Sequence, residues 1–309
     1  LAPGKILAFT TYFTIILNAM LSITRLFIIY SKANASAIRI AEILDKPRVN
    51  KNNEETLKRI KTSDDYITFE DVTFSYHKKY NNVSNISFSI KKRETLGIIG
   101  ATGSGKSTLI NLIPRFYDVT GGELLIDGVN IKDVPQHELR KRIGFVPQKG
   151  LLFSGTIESN IKYGNPKMSD KQMKEAAEIA QATEFIEAKP EKYKSEIAQG
   201  GTNVSGGQKQ RLSIARAIAI DPEIFVFDDS FSALDLKTDS KLRAALAEKT
   251  KNKTVIIVAQ RVSTILNADQ IVVLEEGKIV GIGKHQELMK NCDTYSQIAL
   301  SQLSKEELE

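Results

Sequence analysis

The chain has a single cysteine, Cys292, and three histidines, His77, His137 and His285, which stand far apart. One thiol supports no internal disulfide framework and no Cys-rich metal site, and scattered histidines offer no ready-made metal cage. A reducing compartment fits this composition. Charge of one sign is also scarce: 43 basic against 37 acidic residues leave +6 over 309 residues. Lys and Arg are spread out rather than gathered in a stripe with interleaved aromatics, which argues against a nucleic-acid partner. No internal repeat or low-complexity tract stands out. The chain opens on Leu1 rather than Met, and the apolar stretch that follows lacks the basic leader and small-residue cleavage site of a signal peptide. We read it as part of a longer polypeptide.

What is present is enough apolar content, 41% hydrophobic against 26% charged residues, to bury the core of one large or two ordinary domains. From Ile6 to Thr24 there is no charge, and after Arg25 the apolar run resumes through Tyr30. That length predicts a membrane-spanning helix over about residues 6–30. Thr11, Thr14, Asn18, Ser22 and Arg25 recur at helical spacing, so one face is polar while Leu7, Phe9, Phe13, Ile16 and Leu17 cover much of the rest. Such a stripe suits a face turned toward other helices or a wet cavity, because an Arg facing lipid is costly. Lys32, Arg39, Lys46, Arg48 and Lys51 follow the span and place the remainder in the cytoplasm by the positive-inside rule.

Residues 1–45 are therefore expected to be the last part of a transmembrane domain, with its helix continuing to Asp45. Lys46-Pro47 ends it, and the polar run within 46–65 reads as a linker. Residues 66–309 form the second domain. Strand-type runs lie at Tyr66–Phe74, Ile86–Ile90 and Thr95–Ile99, and again at Ile224–Phe227, Val255–Val258 and Ile271–Leu274. The signals between Gly155 and Ile220 are mainly helical, with capping boxes at Ser169/Gln172 and Ser205/Gln208. The layout is an α/β core with a parallel sheet and a helical insertion over about 151–220.

Gly100-Ala101-Thr102-Gly103-Ser104-Gly105-Lys106-Ser107 follows an apolar strand and opens a helix expected from Ser107 to Pro114. This is the P-loop pattern in its required context. Its glycines let successive backbone N–H groups face phosphate oxygens, Lys106 reaches the β- and γ-phosphates, and the Ser107 hydroxyl ligates Mg²⁺, with Thr108 next in line. Ile224-Phe225-Val226-Phe227-Asp228 is an apolar strand ending in a carboxylate, the way P-loop enzymes hold magnesium from its second side.

Val204-Ser205-Gly206-Gly207-Gln208 precedes the helical run 209–220. On its residues alone it is a helix cap. Together with the P-loop and Asp228 it resembles the signature sequence of the ATP-binding cassette of ABC transporters, departing only in Val204 where Leu is usual. The resemblance runs from Tyr66 to the end, includes Asp221-Pro222 and the run Val258–Ile265, and extends to the exporter-like helix before it. It implies a RecA-like P-loop NTPase core with an antiparallel β subdomain and a helical subdomain, using ATP and Mg²⁺. It implies further that the signature is presented to ATP held by a partner's P-loop, that Tyr76 stacks on adenine, and that Gln148 senses magnesium and the attacking water. Ser232-Ala233-Leu234-Asp235 matches the loop through which two such subunits contact each other's sites. The implied protein is an ABC exporter half-transporter in the cell membrane with its nucleotide-binding domain cytoplasmic.

Two positions depart from that family's pattern. The residue after the magnesium Asp is usually a Glu that activates the attacking water, and here it is Asp229; the usual Ala-His-Arg run reads Ala259-Gln260-Arg261. Asp draws the carboxylate back by about 1 Å or more, a displacement that can cost roughly a hundredfold in rate. Gln260 donates hydrogen bonds but takes no proton. Both departures together resemble the degenerate-site subunit of heterodimeric ABC exporters, with a second half-transporter as partner. A homodimer with slow turnover and an ATP-clamped binding module stay open as alternatives. A soluble ABC-type ATPase of DNA repair or translation is argued against by the N-terminal span and by Val258–Ile265.

Overall fold

The structure, a computed structural model, describes residues 3–45, 65–77 and 79–303. The expected linker over 46–65 falls outside these residues except for Asp65, as do Lys46, Arg48 and Lys51. The chain divides into two units, Leu1–Lys51 and Asn52–Glu309.

The first unit carries one helix, α1 (Pro3–Leu44), in which no side chain is buried. At about 1.5 Å per residue it is about 63 Å long, and among the described residues it is the one helix long and apolar enough to cross a membrane. Its expected polar stripe is partly satisfied from within. Thr11 Oγ1 donates to the Leu7 carbonyl over 2.8 Å, Thr14 Oγ1 to Thr10 over 2.9 Å and Ser22 Oγ to Asn18 over 2.8 Å. Hydroxyls bonded back in this way place little polar demand on whatever surrounds the helix.

In the second unit, β1 (Asp65–Phe74) and β2 (Val83–Lys91) form an antiparallel pair. β3 (Thr95–Gly100), α2 (Lys106–Leu112), β4 (Gly121–Ile126), β5 (Val129–Asn130), α3 (Gln136–Lys141) and β6 (Ile143–Val146) follow. The next stretch holds β7 (Gly155–Thr156), α4 (Ile157–Ile161), α5 (Asp170–Ile179), α6 (Thr183–Glu187), β8 (Glu196–Ile197) and α7 (Gly206–Ala219). It is helical as expected, apart from the short β7–β8 ribbon. The chain closes with β9 (Ile224–Asp228), α8 (Leu236–Thr250), β10 (Thr254–Val258), β11 (Gln270–Glu275), β12 (Lys278–Gly283), α9 (His285–Asn291) and α10 (Asp293–Gln302).

One sheet is antiparallel, in the order β2-β1-β4-β5; the larger runs β12-β11-β3-β10-β9-β6 and is parallel from β11 to β6. Its inner strands read as continuous apolar runs because helices or sheet cover both faces. Leu96, Ile98, Val226 and Ile256 pack with the antiparallel sheet through Ile67 and Phe69 and with α2 through Leu109 and Leu112. Phe225, Phe227 and Val255 belong to a second cluster with Leu212 and Ile214 of α7 and Leu242 of α8. Ile271 and Val273 belong to a third, with Tyr295 and Ala299 of α10. The consequence for function lies in strand order: β10 separates β3 from β9, and Val258 pairs with Ile98 on one side and Asp228 on the other. Everything that follows these strand ends meets at one edge of the sheet, where ligands of open α/β sheets bind.

Candidate functional site

The turn after β3 demands glycine. Gly103 and Gly105 stand at φ +85° and +99°, a left-handed conformation that side-chain-bearing residues enter at a cost. A Cβ on Gly105 would also lie 2.9 Å from the Asn82 carbonyl, whereas one on Gly103 would project into open space. The loop therefore leaves a concavity beside Gly103, and α2 starts at Lys106 rather than at Ser107. Lys106 Nζ folds over the loop and donates to the Gly100 and Ala101 carbonyls, each over 2.8 Å. Burial depresses its pKa, with the Asp229 and Asp228 charges opposing.

A cavity of about 320 Å³ opens at this loop, lined by Thr102, Gly103, Gly105, Lys106, Ser107 and Thr108 on one side and by Gln148, Asp228, Asp229 and Gln260 on the other. Ser107 Oγ donates to Asp228 Oδ1 over 3.1 Å. A hydroxyl and a carboxylate at this distance, with the Gln148 amide in the same cavity, are hard oxygen donors that fit Mg²⁺. Burial raises the Asp228 pKa; the Ser107 hydrogen bond opposes this, the Asp229 charge adds to it and the Lys106 charge lowers it again. The concavity beside Gly103, with a cation poised on the loop, fits a polyphosphate.

Asp229 follows with φ +45°, a left-handed conformation that Asp tolerates better than most residues. Its side chain is nearly buried. Two amides converge on one of its oxygens: Gln260 Nε2 donates to Oδ2 over 2.6 Å and Gln148 Nε2 to the same atom over 3.2 Å. Ser230 Oγ, donating to the Val146 carbonyl over 3.0 Å, fastens the end of β9 to that of β6 and so holds Gln148 opposite Asp229. Ser232 Oγ donates to the Asp229 carbonyl over 3.0 Å.

The other predicted residues lie elsewhere. Gly100 ends β3, and Ser104 is buried with its hydroxyl unpartnered. Tyr76 is half-exposed and sits edge-on to Phe74 and Tyr117, with ring centroids 4.8 and 5.0 Å away. Val204 is nearly buried, and Ser205 caps α7 in a box with Gln208. None of residues 204–208 lines the cavity. A Cβ on Gly207 would lie 3.4 Å from the Ala233 carbonyl and 3.7 Å from Leu234 Cδ2, so the 232–235 loop runs alongside the start of α7. Asp235 caps α8, accepting from Thr238 N over 2.9 Å.

Sequence reasoning missed Asn82. It lines the cavity, its Oδ1 accepts from Tyr76 N over 3.1 Å, and its carbonyl crowds Gly105. It stands on no motif, and its place follows only from the packing of the two sheets.

The sequence pattern of the ABC transporter family matches residues 83–232, a segment that holds the loop, Asp228 and the cap of α7. These residues belong to an ABC transporter ATP-binding domain. Similarity extends past the matched segment. The chain is 40% identical over 303 residues to an uncharacterized ABC transporter ATP-binding protein of Mycobacterium tuberculosis, covering 97% of this chain and 52% of that protein. A similarly described Bacillus subtilis protein is 41% identical over 304 residues, 98% of this chain and 52% of the relative. A putative multidrug export ATP-binding/permease protein of Staphylococcus aureus is 47% identical over 233 residues, 75% of this chain and 40% of that protein. The chain thus spans about half the length of the first two of these relatives. The solved structure of a bacterial Atm1-family ABC exporter with ATP bound superposes with TM-score 0.82 at 31% identity, covering 89% of this chain and 48% of that one. The ABC domain therefore has exporter-type homologues, and its α/β P-loop fold with an added antiparallel sheet is the one they share.

Proposed function

We propose that this chain is the ATP-binding part of an ABC exporter subunit whose own ATP site holds nucleotide better than it hydrolyses it. The observation that carries this reading is the pairing of an intact phosphate cradle with a capped carboxylate. Lys106 held over the loop and Ser107 beside Asp228 support binding of a Mg-nucleotide, while Asp229 Oδ2 accepts from both Gln260 and Gln148. A carboxylate drawn back by one methylene, with Oδ2 held by two amide donors, is poorly placed to activate water. Bound magnesium supplies neutralisation of the phosphate charge. Lys106 and the loop amides hold the β- and γ-phosphates, Gln148 and Gln260 orient polar groups near the terminal phosphate, and Tyr76 offers its ring to adenine.

On this reading Ser205, Gly206, Gly207 and Gln208 serve ATP held by a second subunit, with Ser232 to Asp235 at the contact between the two. That none of them lines the chain's own cavity supports it. A companion half-transporter with Glu and His at the two altered positions would then carry the faster turnover. α1 anchors the subunit in the cell membrane and leaves the ABC domain cytoplasmic, and closure of two such domains drives export.

The test uses the full-length protein with its companion subunit. Asp229→Glu combined with Gln260→His is expected to raise ATPase activity or to make the second site turn over in nucleotide trapping. No change in either would sink the degenerate-site reading.

A further inference from the structure

The stretch from Gln260 to Val262 leaves β10 and enters a single helical turn at Val262–Thr264. Ladder pairing ends with Ala259 N donating to the Ile98 carbonyl over 3.0 Å. Beyond that point the chain is held by a residue 42 positions away. Gln302 Nε2 donates to the Gln260 carbonyl over 2.9 Å, and Gln302 Oε1 accepts from Val262 N over 2.9 Å. One planar side-chain amide thus takes the place of a neighbouring strand, pairing with an acceptor and a donor that regular structure leaves free.

The helix that presents this amide is rigidly seated. Tyr295 and Ala299 of α10 are fully buried in a cluster with Val262, Ile265 and Ile271. Tyr295 OH is 2.8 Å from His285 Nδ1, and Thr294 Oγ1 donates to Glu275 Oε2 over 3.1 Å. Gln302 lies at the last position of α10, on the side facing the loop, and is itself exposed. Its two hydrogen bonds serve the loop rather than its own helix. The same loop residue that Gln302 grips by its carbonyl sends its side chain to Asp229 over 2.6 Å. A hydrogen-bonded path from α10 to the carboxylate therefore passes through Gln260.

We propose that Gln302 is a positioning residue of the ATP site, through which the C-terminal helix sets where residue 260 stands relative to Asp229 and the terminal phosphate. This rests on the reading of the cavity as an ATP site, but not on that site being slow. A loop freed at this point lets residue 260 wander by the fraction of an ångström to which catalysis is sensitive.

The experiment uses the full-length protein with its companion subunit, wild type and Asp229→Glu/Gln260→His, each with and without Gln302→Met, which keeps the side-chain length and removes both hydrogen bonds. Amide exchange over residues 260–264 should speed up by about tenfold in Gln302→Met, reporting the freed Val262 N–H. In the doubly substituted background, kcat at this site should fall by about tenfold with KM and melting temperature unchanged. An amide that merely pins the helix end would shift melting temperature and leave kcat alone, and that result overturns the proposal. Unchanged exchange over 260–264 overturns it in either background. If the double substitution yields no turnover, the degenerate-site reading fails by itself, and the exchange measurement decides the fate of Gln302.

Discussion

Ser107 Oγ donates to Asp228 Oδ1 over 3.1 Å across 121 residues of sequence, joining the first turn of α2 to the end of β9. Neither group has another obvious use. The hydroxyl opens a helix, the carboxylate is nearly buried, and what they share is the ability to offer oxygen to a hard cation. Asp228→Asn keeps the shape and removes the charge. It is expected to abolish the enhancement of nucleotide affinity by Mg²⁺ while leaving metal-free binding within about threefold, as measured with a fluorescent ATP analogue with and without the ion. An enhancement equal to wild type would remove the pair from the metal site.

Burial holds the Asp228 carboxyl above the ordinary carboxylate range, with the Asp229 charge adding to the effect. The folded protein therefore keeps this proton to a higher pH than the unfolded chain. Stability from this group is greatest at low pH and is lost as pH rises through its raised folded value. Metal affinity has the opposite sense, because only the ionised form binds. Mg-dependent nucleotide affinity is expected to decline on acidification before ordinary carboxylates titrate, and to lose that pH dependence in Asp228→Asn. A flat profile in the wild type would contradict the raised pKa.

Lys106→Ala removes a cation and two hydrogen bonds that tie the loop to itself. Nucleotide affinity at this site is expected to fall by at least about tenfold, a loss of about 1.4 kcal/mol, with nearly unchanged melting temperature because the group lies at the cavity surface. Unaltered occupancy by direct nucleotide analysis would remove the P-loop assignment.

A Cβ at Gly207 meets nothing closer than 3.4 Å, and an acid in the first turn of a helix is favourable, so Gly207→Asp should fold normally. It places a negative charge where the proposed partner's γ-phosphate would sit. ATP binding to this chain alone is expected to stay unchanged, while turnover by the assembled transporter falls by about a hundredfold. Reduced binding by the isolated chain would mean that residues 204–208 serve its own site.

Gly97 in β3 is packed so closely that an added Cβ would come within 2.7 Å of Ile265 Cβ. Gly97→Ala is expected to cost about 1–3 kcal/mol by overpacking, read as a shift of the denaturation midpoint of the second unit. A neutral outcome would indicate that the 262–265 turn yields freely.

Much of the site was legible in the primary structure because its parts are contiguous. The turn Gly100–Ser107, the strand Ile224–Asp228 and the cap Ser205–Gln208 each hold their chemistry within a few residues, and local geometry alone dictates which types fit: glycine for left-handed backbone, an apolar run for a buried strand, Ser and Gln for a capping box. The strand order β11-β3-β10-β9-β6, by contrast, is a property of the assembled sheet. It brings Gln260 to Asp229 and turns Gln148 toward the same oxygen, while the packing of the two sheets puts Asn82 beside Gly105 and the seating of α10 lets Gln302 reach the residue 260 loop. Sequence determined which chemistry the chain carries, because bond lengths and backbone sterics act over neighbours. Which groups touch was decided only when hydrophobic burial closed the sheets and helices on one another, since residues 31 to 81 positions from Asp229 along the chain have no local force to bring them to it.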